Sequence, residues 1–275
     1  MKNAESDIKK EFMKKGSCSQ ALCFFLDREF GCRKEPGERA ADPLAGGVLL
    51  QGHQCGMLWG SSLAVGAESF RRFSDRGRAT AAAVSATAHL MKSYSGRTGS
   101  VNCRDVCGHD FTNKIELFAF MMKFILHINR DCLDLADKWV PEAIRSASEG
   151  LSAASTYAQE PVSCASVLAK KMGAGDEEAA MVAGFAGGLG LSGNGCGALA
   201  AAVWLKSLAW CRENPGKSSY NNPYAKKMLK SFFKKVGTEM SCRTITGQRF
   251  ETLDAHTKFI RNGGCEQLIN VLAES

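Results

Sequence analysis

The stretch from Leu44 to Gly60 constrains this chain more than any other, because it is written twice. Residues 44–60 read Leu-Ala-Gly-Gly-Val-Leu-Leu-Gln-Gly-His-Gln-Cys-Gly-Met-Leu-Trp-Gly, and residues 185–201 read Phe-Ala-Gly-Gly-Leu-Gly-Leu-Ser-Gly-Asn-Gly-Cys-Gly-Ala-Leu-Ala-Ala. In both copies Ala-Gly-Gly (Ala45-Gly46-Gly47, Ala186-Gly187-Gly188) precedes Cys-Gly (Cys55-Gly56, Cys196-Gly197) by the same spacing. A chain of 275 residues can form one large domain or two of ordinary size. The repeat points to two: residues 1–150 and 161–275, joined by a small, polar linker at 151–160.

With 45% hydrophobic and 23% charged residues, each half has apolar surface enough for a core, which excludes a disordered chain. The net charge of +7 is spread over both halves. Short basic groups such as Lys14-Lys15, Arg71-Arg72 and Lys234-Lys235 read as solvated helix faces, so no nucleic-acid partner is expected. The N-terminus alternates charge and lacks the apolar core of a secretory signal. The weakly charged run from Met181 to Trp204 has the length of a membrane span. Its many glycines read instead as two buried helices around a loop, so no membrane insertion is expected and the location is taken as cytoplasmic.

Taken in order, the two halves match element by element. Ser17-Cys18 and Ser163-Cys164 each open a helix with serine as N-cap, ending near Gly31 and Gly173. Glu35-Pro36-Gly37-Glu38 and Gly175-Asp176-Glu177-Glu178 start alanine-rich helices expected to carry the Ala-Gly-Gly triplets. Helices follow each Cys-Gly, over 58–70 and 199–210. Next come an alanine-rich helix at 78–93 and a lysine-rich amphipathic one at 224–236. Cys103-Arg104-Asp105-Val106-Cys107-Gly108 then matches Cys242-Arg243-Thr244-Ile245-Thr246-Gly247. Apolar helices at 118–127 and 257–262 lead to Cys132 and Cys265, each with leucine three residues on (Leu135, Leu268). No segment alternates cleanly as a strand, so the expected fold is all-α, two tandem helical bundles related by internal duplication.

Eight of the twelve cysteines thus recur in order: Cys18, Cys55, Cys103 and Cys132, then Cys164, Cys196, Cys242 and Cys265. In a reducing compartment they do not read as a disulfide framework. Four thiolates brought together from helix ends can hold a tetrahedral metal or an iron–sulfur cluster. The series resembles the C_GCAxxG_C_C family of redox-active proteins, written here in tandem over nearly the whole chain. The resemblance implies a helical module with redox-active cysteines and, for some relatives, an iron–sulfur cluster; it names no substrate. Met57 stands where the second copy has Ala198, and Ala201 where the first has Gly60. The spacing from third to fourth cysteine is longer in the first copy, so the two sites are expected to differ.

Small Gly56 and Gly197 would let a bound group approach the backbone closely. Arg104 and Arg243, each beside a cysteine, would support a thiolate or an anionic cluster by charge, or pair with surface carboxylates. Gly46-Gly47 and Gly187-Gly188 read as helix-packing positions, since no strand precedes them as in a phosphate loop. Outside the matched set stand Cys23 and Cys211, read as core filler, Cys32, and Cys107, one helical turn from Cys103 and replaced by Thr246 in the second copy. His53, His89, His109, His127 and His256 show no metal-ligand spacing, although His53 and His109 each lie two residues from a thiol. Three chemistries remain open. The leading one is an iron–sulfur protein passing electrons to an unidentified redox partner. The others are a metal-free dithiol/disulfide protein and a structural zinc module used for interaction, although close-spaced ligand pairs of the zinc kind are missing. No acid–base pair marks an enzyme.

Overall fold

The computed structural model describes residues 2–126, 131–153 and 157–275. Among them every regular element is helical. The first repeat comprises α1 (Lys2–Lys15), α2 (Cys18–Phe30), α3 (Glu35–Ala40), α4 (Gly56–Arg72), α5 (Arg76–Thr98), α6 (Cys103–Cys107), α7 (Lys114–Ile125) and α8 (Asp131–Ser152). The second comprises α9 (Cys164–Lys171), α10 (Asp176–Met181), α11 (Gly197–Glu213), α12 (Pro223–Val236), α13 (Cys242–Thr246), α14 (Leu253–Arg261) and α15 (Glu266–Ala273). Apart from α1, each element of the first repeat has one counterpart in the second, in the same order. The expected all-α duplication is therefore the architecture found.

Local chemistry sets the helix starts. Ser17 and Ser163 accept hydrogen bonds from the Gln20 and Ser166 amides. Asp75, Asn113, Asn222 and Thr252 cap α5, α7, α12 and α14 in the same way. α7 begins at Lys114 and extends to Ile125; His127 lies outside the described residues. α8 runs on through Ser152, so the first residues expected in the linker are helical; residues 154–156 lie outside the described residues.

The repeats pack by exchange. α3 lies on α11, and its counterpart α10 lies on α4, so each short helix covers the helix that follows the second matched cysteine of the other repeat. Close approach is allowed by Gly66 on α4: a Cβ there would sit 2.4 Å from the Met181 carbonyl oxygen. Trp204 of α11 donates its indole N–H to the Gly37 carbonyl at 3.1 Å. Arg39 donates to the carbonyls of Cys211, Asn214 and Lys217, groups that the C-terminal end of α11 leaves open. One apolar core runs through both repeats, with Trp59 of the first edge-on to Phe185 of the second, ring centroids 4.8 Å apart.

The Ala-Gly-Gly segments depart from expectation. No helix carries them. After α3 comes a single 3-10 turn, Asp42–Leu44, and then five successive residues at positive φ: Gly46 (67°), Gly47 (74°), Val48 (64°), Leu49 (52°) and Leu50 (65°). After α10 the turn Ala183–Phe185 leads into Gly187 (58°), Gly188 (82°), Leu189 (71°), Gly190 (62°) and Leu191 (62°). Each is one turn of left-handed helix, closed by bonds such as Leu49 N–H to Pro43 O (2.7 Å) and Gly190 N–H to Gly184 O (2.8 Å). The glycine pairs are thus entry points to a left-handed turn, not helix-packing positions, and the helix expected between Met181 and the second cysteine loop is absent. At about 1–2 kcal/mol per side-chain-bearing residue, the first turn stores roughly 3–6 kcal/mol and the second roughly 2–4. Complete burial of Val48 and Leu189 offsets part of that cost.

Candidate functional site

The left-handed turns exist beside the cysteines. Gly47 and Gly188 fold back on the loop that follows, where a Cβ would stand 2.3 Å from the His53 amide nitrogen and 2.7 Å from that of Asn194. That loop is clamped to the segment before α6. Cys55 N–H donates to Val101 O at 2.8 Å and Cys103 N–H to His53 O at 2.6 Å, an isolated antiparallel bridge pairing Gln54 with Asn102. The second repeat repeats it: Cys196 N–H to Met240 O at 2.8 Å, Cys242 N–H to Asn194 O at 2.5 Å, and Gly195 paired with Ser241. Two cysteines are thereby delivered side by side in each repeat.

The other two come from helix starts. Cys18 and Cys164 are the first residues of α2 and α9, Cys55 and Cys196 immediately precede α4 and α11, Cys132 is the second residue of α8, and Cys265 immediately precedes α15. The positive ends of three helices per repeat therefore face the sulfurs, and such an end favours a thiolate. Amide N–H groups add to this. The Gly46 amide, in the left-handed turn, lowers the Cys18 thiol pKa, and the Gly187 amide lowers that of Cys164, each against the larger upward push of burial. Met57 does the same for Cys55, as do Leu199 and Ala198 for Cys196.

Matched cysteines of one repeat influence one another's titration, although among the described residues no three His, Cys, Asp or Glu side chains are gathered closely enough to hold a metal ion. In the second repeat Cys242 feels Cys164, Cys196 and Cys265, and burial pushes all four thiols up, Cys196 and Cys265 to about 12. In the first repeat the thiols pair. Cys18 shares its proton with Cys55, which raises the first, already raised by burial, and lowers the second. Cys103 does the same toward Cys107, lowering Cys107 to about 7, while burial pushes Cys132 up. Cys107 is thus a fifth thiol of the first site. It is held with Cys103 and Phe111 in a small apolar cluster under Leu117 and Phe120 of α7.

Gly56 and Gly197 are close-approach positions. A Cβ on Gly56 would lie 2.6 Å from the Cys18 sulfur, and one on Gly197 would lie 2.0 Å from the Phe185 carbonyl oxygen. Arg104 is half exposed and pairs with Asp110 at 2.9 Å, its side chain lying over Gly52; Arg243 is exposed, with its Cβ over Gly193. Cys23 and Cys32 lie elsewhere, each donating its S–H to one oxygen of buried Asp27, at 3.5 and 3.7 Å. Cys211 is buried in the core. His53 is half-buried with its pKa lowered by burial, and His109 stacks at the edge of Phe120. His256 is buried, bonds Val162 O at 3.0 Å, and is pushed down to about 4 by burial.

One group was invisible to sequence reasoning. Tyr94 of α5 is completely buried, its ring edge-on to Trp139 at 4.8 Å. Its hydroxyl has no hydrogen-bond partner among the described residues, and burial, with the Cys55, Cys132 and Cys18 thiols nearby, holds its pKa well up. A buried hydroxyl without a satisfied bond is costly.

These features define a class: a duplicated helical protein in which each repeat carries a matched set of four cysteines at helix starts. Residues 17–139 and 162–275 each match the family described as "Putative redox-active protein (C_GCAxxG_C_C)", and the chain belongs to that family, as a tandem pair of its module. No curated protein and no solved structure matches the chain. Among the described residues no helix is long and apolar enough to cross a membrane.

Proposed function

We propose that each centre holds an iron–sulfur cluster, ligated by Cys18, Cys55, Cys103 and Cys132 in the first repeat and by Cys164, Cys196, Cys242 and Cys265 in the second, and that the protein carries electrons to and from a partner protein. The observation that carries this reading is the placing of four buried or half-buried cysteines per repeat at helix starts, where they influence one another's titration and where backbone amides favour the thiolate. That donor set suits an anionic group with thiolate ligands, whose potential is set by hydrogen bonds to sulfur and by burial. Among the described residues no three His, Cys, Asp or Glu side chains are gathered tightly enough to share one ion.

The chain's own part is to exclude water, fix the sulfurs and supply N–H donors. The cluster would supply one-electron chemistry. Gly56 and Gly197 keep the backbone free of side chains where α4 and α11 meet the left-handed turns, and Arg104 and Arg243 cover the loops that precede the second cysteines.

A second reading is favoured at the first centre by the Cys103/Cys107 pair. Two thiols one turn apart, one of them lowered to about 7, suit exchange with a disulfide partner. There Cys103 and Cys107 would lose two electrons and two protons and the partner disulfide would become two thiols.

Iron and acid-labile sulfide, measured on protein purified without air, separate the readings. Cys55→Ser and Cys196→Ser are each expected to lose about half of the bound iron, and Cys23→Ser none. Equal iron in all three variants, or none in the native protein, would sink the cluster reading.

A further inference from the structure

The two places where the repeats exchange short helices are not equally filled. α3 and α10 are both six residues long, and their fourth and fifth residues are Glu38-Arg39 in the first repeat and Ala179-Ala180 in the second. Glu38 is fully buried against Arg33 and Lys15, and Arg39 reaches the Cys211 carbonyl near the end of α11 at 3.0 Å. Two alanines fill no such volume. Beside them a groove of about 370 Å³ opens between α10, α9 and the start of α5. That is room for a small molecule, whose sites run from roughly 300 to 1,000 Å³.

The floor of the groove is apolar. Ala79 of α5, Pro161 and the alanine pair are buried there, and Val162 and Val167 are half-buried beside them. Gly77 brings the start of α5 close to Pro161, where a Cβ would stand 3.1 Å from the proline ring. The rim is basic, with Arg76, Lys170 and Lys171 against one carboxylate, Asp176. Asp176 pairs with Lys170 at 2.6 Å. Lys171 donates to the neutral side-chain amide of Asn270 at 2.5 Å, which leaves its charge uncompensated. Arg76 lies over the Phe70 ring, 3.9 Å from its centroid, and makes no ion pair among the described residues. Two positive charges are therefore left over at the edge of an apolar surface.

We infer that this groove binds a small organic carboxylate with an apolar body, the body laid on the alanine floor and the carboxylate drawn to Arg76 and Lys171. A guanidinium fork matches a carboxylate in two parallel hydrogen bonds, and its stacking on Phe70 limits the freedom it would lose on binding. Burial of the apolar body adds a favourable term that a purely ionic surface site lacks. A cation would meet two like charges, and a neutral molecule would gain from the floor alone. The groove also lies against the start of a cysteine-bearing helix, since Ser163, which caps α9 immediately before Cys164, lines it.

Octanoate, titrated calorimetrically into the full-length protein, is the probe, with octylamine and octanol as its cationic and neutral matches. Octanoate should bind saturably, one molecule per chain, and the other two at least about tenfold more weakly. Arg76→Glu, a change at an exposed side chain, should weaken octanoate binding by about tenfold. Ala180→Arg, which installs the residue of the first repeat, should abolish binding by filling the groove. Lys226→Glu makes the same charge change on an exposed position of α12 and should leave affinity unchanged. Ala180→Arg is read only where its melting curve is native, and otherwise Arg76→Glu decides alone. No saturable binding of octanoate, equal binding of octylamine or octanol, native affinity in Arg76→Glu, or an equal loss in Lys226→Glu would each overturn the inference.

Discussion

Cys103 is followed one helical turn later by Cys107, whereas Cys242 is followed by Thr246, whose hydroxyl turns back to the Cys242 carbonyl at 2.8 Å. Tyr94 and Phe232, each five residues before the glycine that ends its helix, are both fully buried, the first with a hydroxyl and the second without. α7 roofs the first site with Leu117 and Phe120 and exposes Ile115 and Phe118 on its other side, while α14 exposes Lys258 and Arg261. Against these differences stand the shared features: helix starts, left-handed turn, antiparallel bridge and four sulfurs. What the two repeats share is backbone geometry, and what separates them is side-chain lining. A backbone frame closed by its own hydrogen bonds tolerates changes in lining that would be ruinous in the frame itself.

The sharpest attack on this comparison is on the frame. Gly47→Ala and Gly188→Ala both place a Cβ at positive φ and within 2.3 and 2.7 Å of backbone atoms. Each is expected to destabilise by more than about 3 kcal/mol and to lower the melting temperature whichever repeat is hit. A variant that melts like the native protein would show that its turn is dispensable.

A smaller effect distinguishes the repeats by pH. Burial, reinforced by Glu38, raises Asp27 in the first repeat to about 7, above the 3.8 of an unfolded chain. The folded state therefore holds a proton that the unfolded state has lost, and stability falls as pH rises from 3.8 to 7, by at most about 4 kcal/mol. His256 in the second repeat is lowered to about 4 from 6.5, so stability rises with pH over that window, by at most about 3 kcal/mol. The two slopes oppose each other between pH 4 and 6.5. Asp27→Asn should leave a stability that climbs with pH there, and His256→Gln one that declines, both read from urea midpoints. Parallel curves for native and variants would remove the two groups as the source.

The smallest effect is kinetic. In metal-free protein the first centre should offer one thiol that alkylates rapidly above about pH 7, the value to which Cys103 lowers Cys107. Cys107→Ser should abolish that phase, leaving the slow thiols of both centres. A fast phase that survives would place the low-pKa thiol elsewhere.

Much of this was legible in the sequence, and the reasons are physical. Cysteine order, serine caps and the paired helices are local signals, each depending on neighbours within a few residues. The left-handed turns were not, because only the glycines (Gly46, Gly47, Gly187, Gly188 and Gly190) favour positive φ; Val48, Leu49, Leu50, Leu189 and Leu191 adopt it under the compulsion of burial and loop bonding. Cys107 was noticed for its spacing, but its thiol joins the first centre through a fold contact. Tyr94 gave no signal at all, since a tyrosine nine residues before Cys103 is indistinguishable from core until α5 is laid beside α8 and the Cys55 loop. The charge partner of Arg104 was likewise a choice between sulfur and carboxylate, and the chain places Asp110 against it.

The exchange of α3 and α10 across the repeats has a consequence for history. A surface on which element i of one unit covers element j of the other, and the reverse, is the contact of a twofold homodimer, closed here within one polypeptide. A single-module ancestor would have left its cysteine helix bare unless it met its own copy. Fusing two copies made that meeting permanent, and it released each from having to serve both sides of the axis. Within one polypeptide the two halves can then differ, as they do where Cys107 stands against Thr246.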